Sequence, residues 1–169
     1  MGNKYNLTLE QNIFLAKRNI IDNIYAGARM EEINVTFLQV KKILEGINVP
    51  NLKIDEIQCI LNLRDAWKYV INNIKEEFNI NFICKINELV ARNESIEWGV
   101  LRSGNVQITG TEYIPDVPEE EVVKKQIAEI LMLPPLKFDI KYKRWYNVIT
   151  ILFNIIFNKK VGYLCQNLF

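Results

Sequence analysis

The 169-residue chain is 49% hydrophobic, enough to bury a proper core and short enough for a single domain spanning 1–169. Lys plus Arg number 21 against Asp plus Glu 20, a formal charge of +1, so no overall field draws the protein to nucleic acid or an anionic membrane. Histidine is absent, which removes Ser-His-Asp and Cys-His catalysis, His-ligated zinc and any imidazole base.

The start, MGNKYNLTLEQ, is polar and carries neither a signal peptide nor, with Leu7 following Met1-Gly2 where Ser or Thr is wanted, a myristoylation signal. Thr8-Leu9-Glu10-Gln11 is a capping box, and Ile13, Leu15, Ile20, Ile21 and Ile24 continue an apolar face, predicting a first helix out to about Tyr25. Thr36-Phe37-Leu38-Gln39 repeats the device, opening a short helix that Gly46 stops after Glu45. From about Ile54 to Phe78, Ile57, Ile60, Leu61, Leu63, Trp67, Val70, Ile71 and Ile74 recur at helical spacing, predicting the longest helix. Asn79 or Asn81 caps the next, whose stripe of Phe82, Ile83, Ile86, Leu89 and Val90 ends near Arg92.

One β-hairpin interrupts the helices. Ser103-Gly104-Asn105 is turn chemistry, and Val106 and Ile108 alternate with Gln107 and Thr109 as in a half-buried strand. A lone hairpin must lean on the helices, and its edge can accept an extended peptide; a plain cross-connection between helical layers is the simpler alternative. Beyond Pro115, Pro118 and Glu119–Glu121 suit a first helical turn, and that helix runs to about Met132 before Pro134-Pro135. A last helix covers roughly 141–157. Its stretch WYNVITILFNIIF has thirteen residues and two asparagines, against the roughly twenty apolar residues of a membrane span, and reads as a core helix.

Cys59, Cys84 and Cys165 are too scattered for a zinc knuckle or redox pair, and the odd count suits buried thiols in a reducing cytoplasm. Lys141, Lys143 and Arg144 beside Tyr142, Trp145 and Tyr146 could meet RNA by charge and stacking, but a solvated face over buried aromatics is simpler, so nucleic acid is not the expected partner. The glycines form no GxGxxG or Walker loop.

The run ICKINELVARNESIEWGVLRSGNVQITGTEYIPDVPEEEVVKKQIAEI resembles the segment leading into the active site of Fic (fido) family proteins: a helix, a Gly-x-x-Arg hairpin called the flap, a Pro-rich turn and another helix. ARMEEINVTFLQVKKILEG and LNLRDAWKYV resemble the region before the core in members with an N-terminal inhibitory helix, so the likeness covers about residues 8–131. It implies a mainly α fold with one hairpin, an N-terminal helical part over 8–78 and flap plus partial core over 79–169. It also implies AMP transfer from ATP, with Mg2+, to a protein hydroxyl. Arg102, Val106, Gln107, Ile108, Thr109 and Gly110 fall on the flap, whose edge would dock a segment of the target protein; the resemblance also allows a homo-oligomer.

The family's catalytic loop, roughly His-x-Phe-x-x-Gly-Asn-Gly/Lys-Arg, supplies a base for the nucleophile and donors and cations for the phosphates. The corresponding place here is LFNIIFNKKVGYLCQNLF. Asn158-Lys159-Lys160 resemble the Asn-Lys-Arg remnant and would meet nucleotide, but Ile155, Ile156 and Phe157 precede them, so the histidine, acid and glycine positions are empty. A shortened, degenerate Fic core with little or no transfer is the expectation. In the inhibitory motif Ser/Thr-x-x-x-Glu-Gly/Asn, Glu31 falls on the glutamate, followed by Asn34, Val35 and Thr36; Gly27 replaces the serine, Glu32 the glycine, and Tyr163 the arginine that pairs with the glutamate. From a different class, a helical interaction or regulatory module with no nucleotide site is the alternative.

Overall fold

The computed structural model describes residues 7–93, 97–104, 117 and 119–132. Six helices lie among them: α1 (Leu9–Arg18), α2 (Ile20–Met30), α3 (Phe37–Leu44), α4 (Ile54–Asn72), α5 (Ile80–Val90) and α6 (Glu120–Met132). The described residues contain no strand, and the expected strand Val106–Gly110, the last helix, the basic-aromatic cluster, Cys165 and Asn158–Lys160 lie outside them.

Both predicted capping boxes form. The Thr8 and Thr36 side chains accept from the N–H of Gln11 and Gln39, each at 3.2 Å, and the two glutamine carboxamides return to the threonine N–H groups, each at 2.8 Å. The first helix, expected to run unbroken to about Tyr25, is instead two. Asn19 closes α1 by donating its N–H to the Leu15 carbonyl at 3.0 Å and opens α2 by accepting from the Asn23 N–H at 3.0 Å. Both are ordinary i→i−4 backbone bonds and the Asn19 side chain makes no cap bond; the break lies in its backbone, at φ −92° and ψ 9°. α2 then continues past Tyr25 because Gly27 and Ala28 are buried, so the packed stripe is carried on by residues too small to register as hydrophobic.

α4 is the central helix, packed against α1, α2, α3 and α5. Its buried residues, Cys59, Ile60, Asn62, Leu63, Ala66, Trp67, Val70 and Ile71, cover more than one face, as a helix enclosed by neighbours requires. It ends at Asn72 rather than near Phe78, because the Asn73 N–H and side-chain amide both turn back onto the Tyr69 carbonyl, at 3.0 and 2.8 Å. Phe78 leaves the helix yet stays buried, and with Phe82 and Tyr69 forms an aromatic seam between α4 and α5, ring centroids 5.8 and 5.3 Å apart. Ile24, Val40, Ile60, Leu63, Ile86 and Val123 are fully enclosed, each such side chain contributing about 1.5–3 kcal/mol. α1, by contrast, buries none of its residues. No helix among the described residues is long and apolar enough to cross a membrane.

Candidate functional site

Two places in the fold carry residues that the sequence marks for function. The first is the turn after α2. Glu31, half-buried, is the C-cap residue, and its N–H donates to the Gly27 carbonyl at 3.0 Å. Glu31 thus stands one helical turn after the position where a serine or threonine is expected. Glu32 follows with φ 62°, in the left-handed region that glycine favours. The Ile33 N–H reaches back to the Ala28 carbonyl at 3.0 Å and the Glu32 N–H to the Arg29 carbonyl at 3.2 Å, the paired bonds of a Schellman turn. Buried Ile33 packs this closure down. The Arg29 guanidinium completes it, donating to the Asn34 side-chain oxygen at 3.2 Å and the Ile33 carbonyl at 3.4 Å.

The position after the glutamate must adopt positive φ to turn the chain, so Gly or Asn is the natural occupant. Glu32 takes that conformation without either advantage.

The second place is 97–104, the entry to the Gly-x-x-Arg stretch Gly99-Val100-Leu101-Arg102. Gly99 has φ 74°, and a Cβ there would lie 2.8 Å from the Glu88 Cβ and 3.3 Å from the Cys84 carbonyl oxygen. Only glycine can turn here while lying this close to α5. The Gly99 N–H donates to the Asn87 side-chain oxygen at 2.8 Å. Leu101 packs against the core. Arg102 is buried, its guanidinium donating to the Gly104 carbonyl at 2.8 Å. Sequence patterning alone, which treats an arginine in a turn as solvated, gives no hint of that burial.

Nearby, Cys84 is a free, half-buried thiol. Burial pushes its pKa up from the ordinary 9.0, and the Glu120 carboxylate adds to the shift, so it is a poor nucleophile at neutral pH. The exposed Lys124, hydrogen-bonded to Glu120 and Glu121, has its pKa pushed up to about 12. Cys59 is free and buried. Among the described residues no group of three or more His, Cys, Asp or Glu side chains could hold a metal ion.

Of the sequence-marked residues, the structure thus describes Glu31 and Arg102. Val106, Gln107, Ile108, Thr109, Gly110, Asn158, Lys159 and Lys160 lie outside the described residues. Two asparagines that support the second place carry no sequence signal for it. Asn62, 1% exposed on α4, donates its amide to the Val90 and Arg92 carbonyls at 3.1 and 2.9 Å and accepts from Gln58 at 2.9 Å. Asn87 holds the chain where it returns to α5 at Gly99.

No family model and no curated protein matches the chain. Among solved structures, it is similar to a Fic family protein from Desulfovibrio desulfuricans G20, at 26% identity and a TM-score of 0.53, over 75% of this chain and 39% of that one. The chain therefore spans well under half the length of that relative. The mainly helical arrangement of the present chain is a Fic-like fold.

Proposed function

We propose that the chain is a catalytically impaired relative of the protein adenylyltransferases of the Fic family, acting in the cytoplasm and retaining a flap edge that docks an extended segment of a target protein. The observation that carries this reading is the absence of histidine from all 169 residues. AMP transfer to a hydroxyl needs a base to take the proton, and loss of a general base costs about 10²–10⁴-fold. The Fic-like fold and the seating of the Gly99–Arg102 stretch on α5 support the docking half. In this reading Asn158, Lys159 and Lys160 remain as the residues for nucleotide phosphate, the acid for Mg2+ has no counterpart, and Glu31 keeps the place of the inhibitory glutamate.

The test is incubation of the full chain with labelled ATP, magnesium and cell extract. Label transfer no greater than with heat-denatured chain is expected; transfer that disappears in Lys160→Ala or Asn158→Ala would overturn the claim of impairment. Docking is tested by binding to an array of extended peptides. Capture of peptides that is lost on Ile108→Pro, which removes a backbone donor, is expected; an array left blank overturns the docking half.

A further inference from the structure

α1 has an apolar side but buries none of its residues. Leu9, Ile13, Leu15 and Ala16 are half-buried, in a helix that lies on α2 and α4. What joins α1 to α2 is a single residue, Asn19, which is exposed and stands at φ −92° and ψ 9°. Those angles differ from helical values by about 30° and 50°. The bonds on either side are already helical, since the Asn19 N–H donates to the Leu15 carbonyl and the Asn23 N–H to the Asn19 carbonyl, both at 3.0 Å. Nothing in the sequence calls for the break. Residues 9–26 contain neither glycine nor proline, and Leu9, Ile13, Ala16, Ile20, Ile24 and Gly27 keep one helical phase across Asn19. Local preference is therefore for one helix from Leu9 to Met30, and the packing of α1 on α4 bends it. Such a conflict between local preference and tertiary packing marks a joint at which a second packing is close in free energy.

We propose that Asn19 is a hinge, and that the seat of α1 on α2 and α4 accepts α1 from a second copy of this chain, giving a dimer by reciprocal exchange. In the exchanged form the helix runs unbroken from Leu9 to Met30, about 33 Å, and carries α1 away from its own α4. The fold itself identifies the occupant: the seat already fits this helix, so α1 of a second copy makes there the contacts that it makes within one chain. Continuity adds to this, because a helix end leaves backbone groups without helical partners and straightening removes two such ends from each chain. Against it stands the freedom lost when two chains pair, so the single chain prevails when dilute. The core from Ile24 onward stays with its own chain in both forms. The exchange does not rest on the docking reading above, because it uses no residue of 97–104.

The experiment is equilibrium sedimentation of the full chain from micromolar to millimolar concentration. Beside it, isotope-filtered methyl Overhauser spectra are recorded on a dimer refolded from two differently labelled preparations. A monomer–dimer equilibrium is expected, with contacts between methyls of α1 in one chain and of α4 in the other. Asn19 is exposed and its side chain makes no cap bond, so substitution there changes the joint and leaves the core alone. Asn19→Ala favours helix at two joints per dimer and should lower the dissociation constant about tenfold, whereas Asn19→Gly should raise it about threefold. A chain that stays monomeric at millimolar concentration both unsubstituted and as Asn19→Ala would overturn the proposal. So would a dimer whose α1–α4 contacts all lie within one chain, or equal dissociation constants for the two variants.

Discussion

Glu32→Gly should stabilise the protein, and the structure supplies its own control. Two helices end in the same closure. After α3, the Ile47 N–H returns to the Lys42 carbonyl at 2.9 Å and the Gly46 N–H to the Ile43 carbonyl at 3.0 Å, with Gly46 at φ 77°. After α2 the same pair of bonds forms with Glu32 at φ 62°. A non-glycine residue in this conformation costs about 1–2 kcal/mol, while glycine gives back about 0.5–1 kcal/mol through its freer unfolded chain. The difference predicts that Glu32→Gly gains about 0.5–1 kcal/mol, or about 1–4 °C in Tm for a chain of this size. Glu32→Ala removes the charge and keeps the conformation, so it should gain nothing comparable. Gly46→Ala should lose about as much as Glu32→Gly gains, since a Cβ at Gly46 meets no atom within 4 Å and backbone strain alone is at issue. Urea unfolding of the three variants provides the measurement. If Glu32→Gly is no more stable than Glu32→Ala, the positive φ at Glu32 carries no strain and this account of the turn fails.

Further outcomes follow from burial and titration. Asn62→Ala leaves the Val90 and Arg92 carbonyls without this donor and should cost about 2–3 kcal/mol in urea unfolding. Thr36→Ala should cost about 1 kcal/mol, whereas Thr8→Ala should mainly raise amide exchange within α1, because that helix buries nothing and can open locally. In a variant carrying Cys59→Ser and Cys165→Ser, alkylation of Cys84 should rise at a higher pH than in a free peptide, and Glu120→Gln should bring that pH part of the way down. The linkage has a definite sign. The unfolded thiol loses its proton first, so this group's contribution to stability is whole below the ordinary 9.0 and is lost as pH rises from there through the raised value of the folded thiol.

The parts of the fold that were legible in the sequence share a cause: each depends on neighbours in the chain. Thr8 with Gln11, Thr36 with Gln39, Gly46 after Glu45 and Asn79 before Phe82 are local devices, and all four act as expected. Helix ends set by a single asparagine were not legible, because they turn on the backbone conformation of Asn19 and on the side-chain bond of Asn73 rather than on a break in an apolar stripe. At the candidate site, Glu31 and Arg102 could be picked out through resemblance, but not the burial of Arg102 or the conformation of Glu32. The bonds of Asn62 to Val90 and Arg92, across 28 and 30 residues, are tertiary facts that no window of sequence contains.

α4 is the body on which both candidate places rest. It packs against α2, which ends in the Glu31 turn, and against α5, which carries Gly99. Bonds of Arg29, Ile33 and Asn34 hold the first place, and bonds of Asn87, Gly99 and Gly104 the second. If α4 is a rigid spacer, changes at the two should add. Glu32→Gly combined with Asn87→Ala should then have the sum of the two single effects on unfolding free energy, within about 0.5 kcal/mol. Asn62→Ala combined with Asn87→Ala should not add, because both act on the turn that follows α5 and the first loss already loosens what the second holds. A coupling above about 1 kcal/mol between Glu32 and Asn87 would mean that α4 transmits strain between them, and the Glu31 turn and residues 97–104 would have to be treated as one unit.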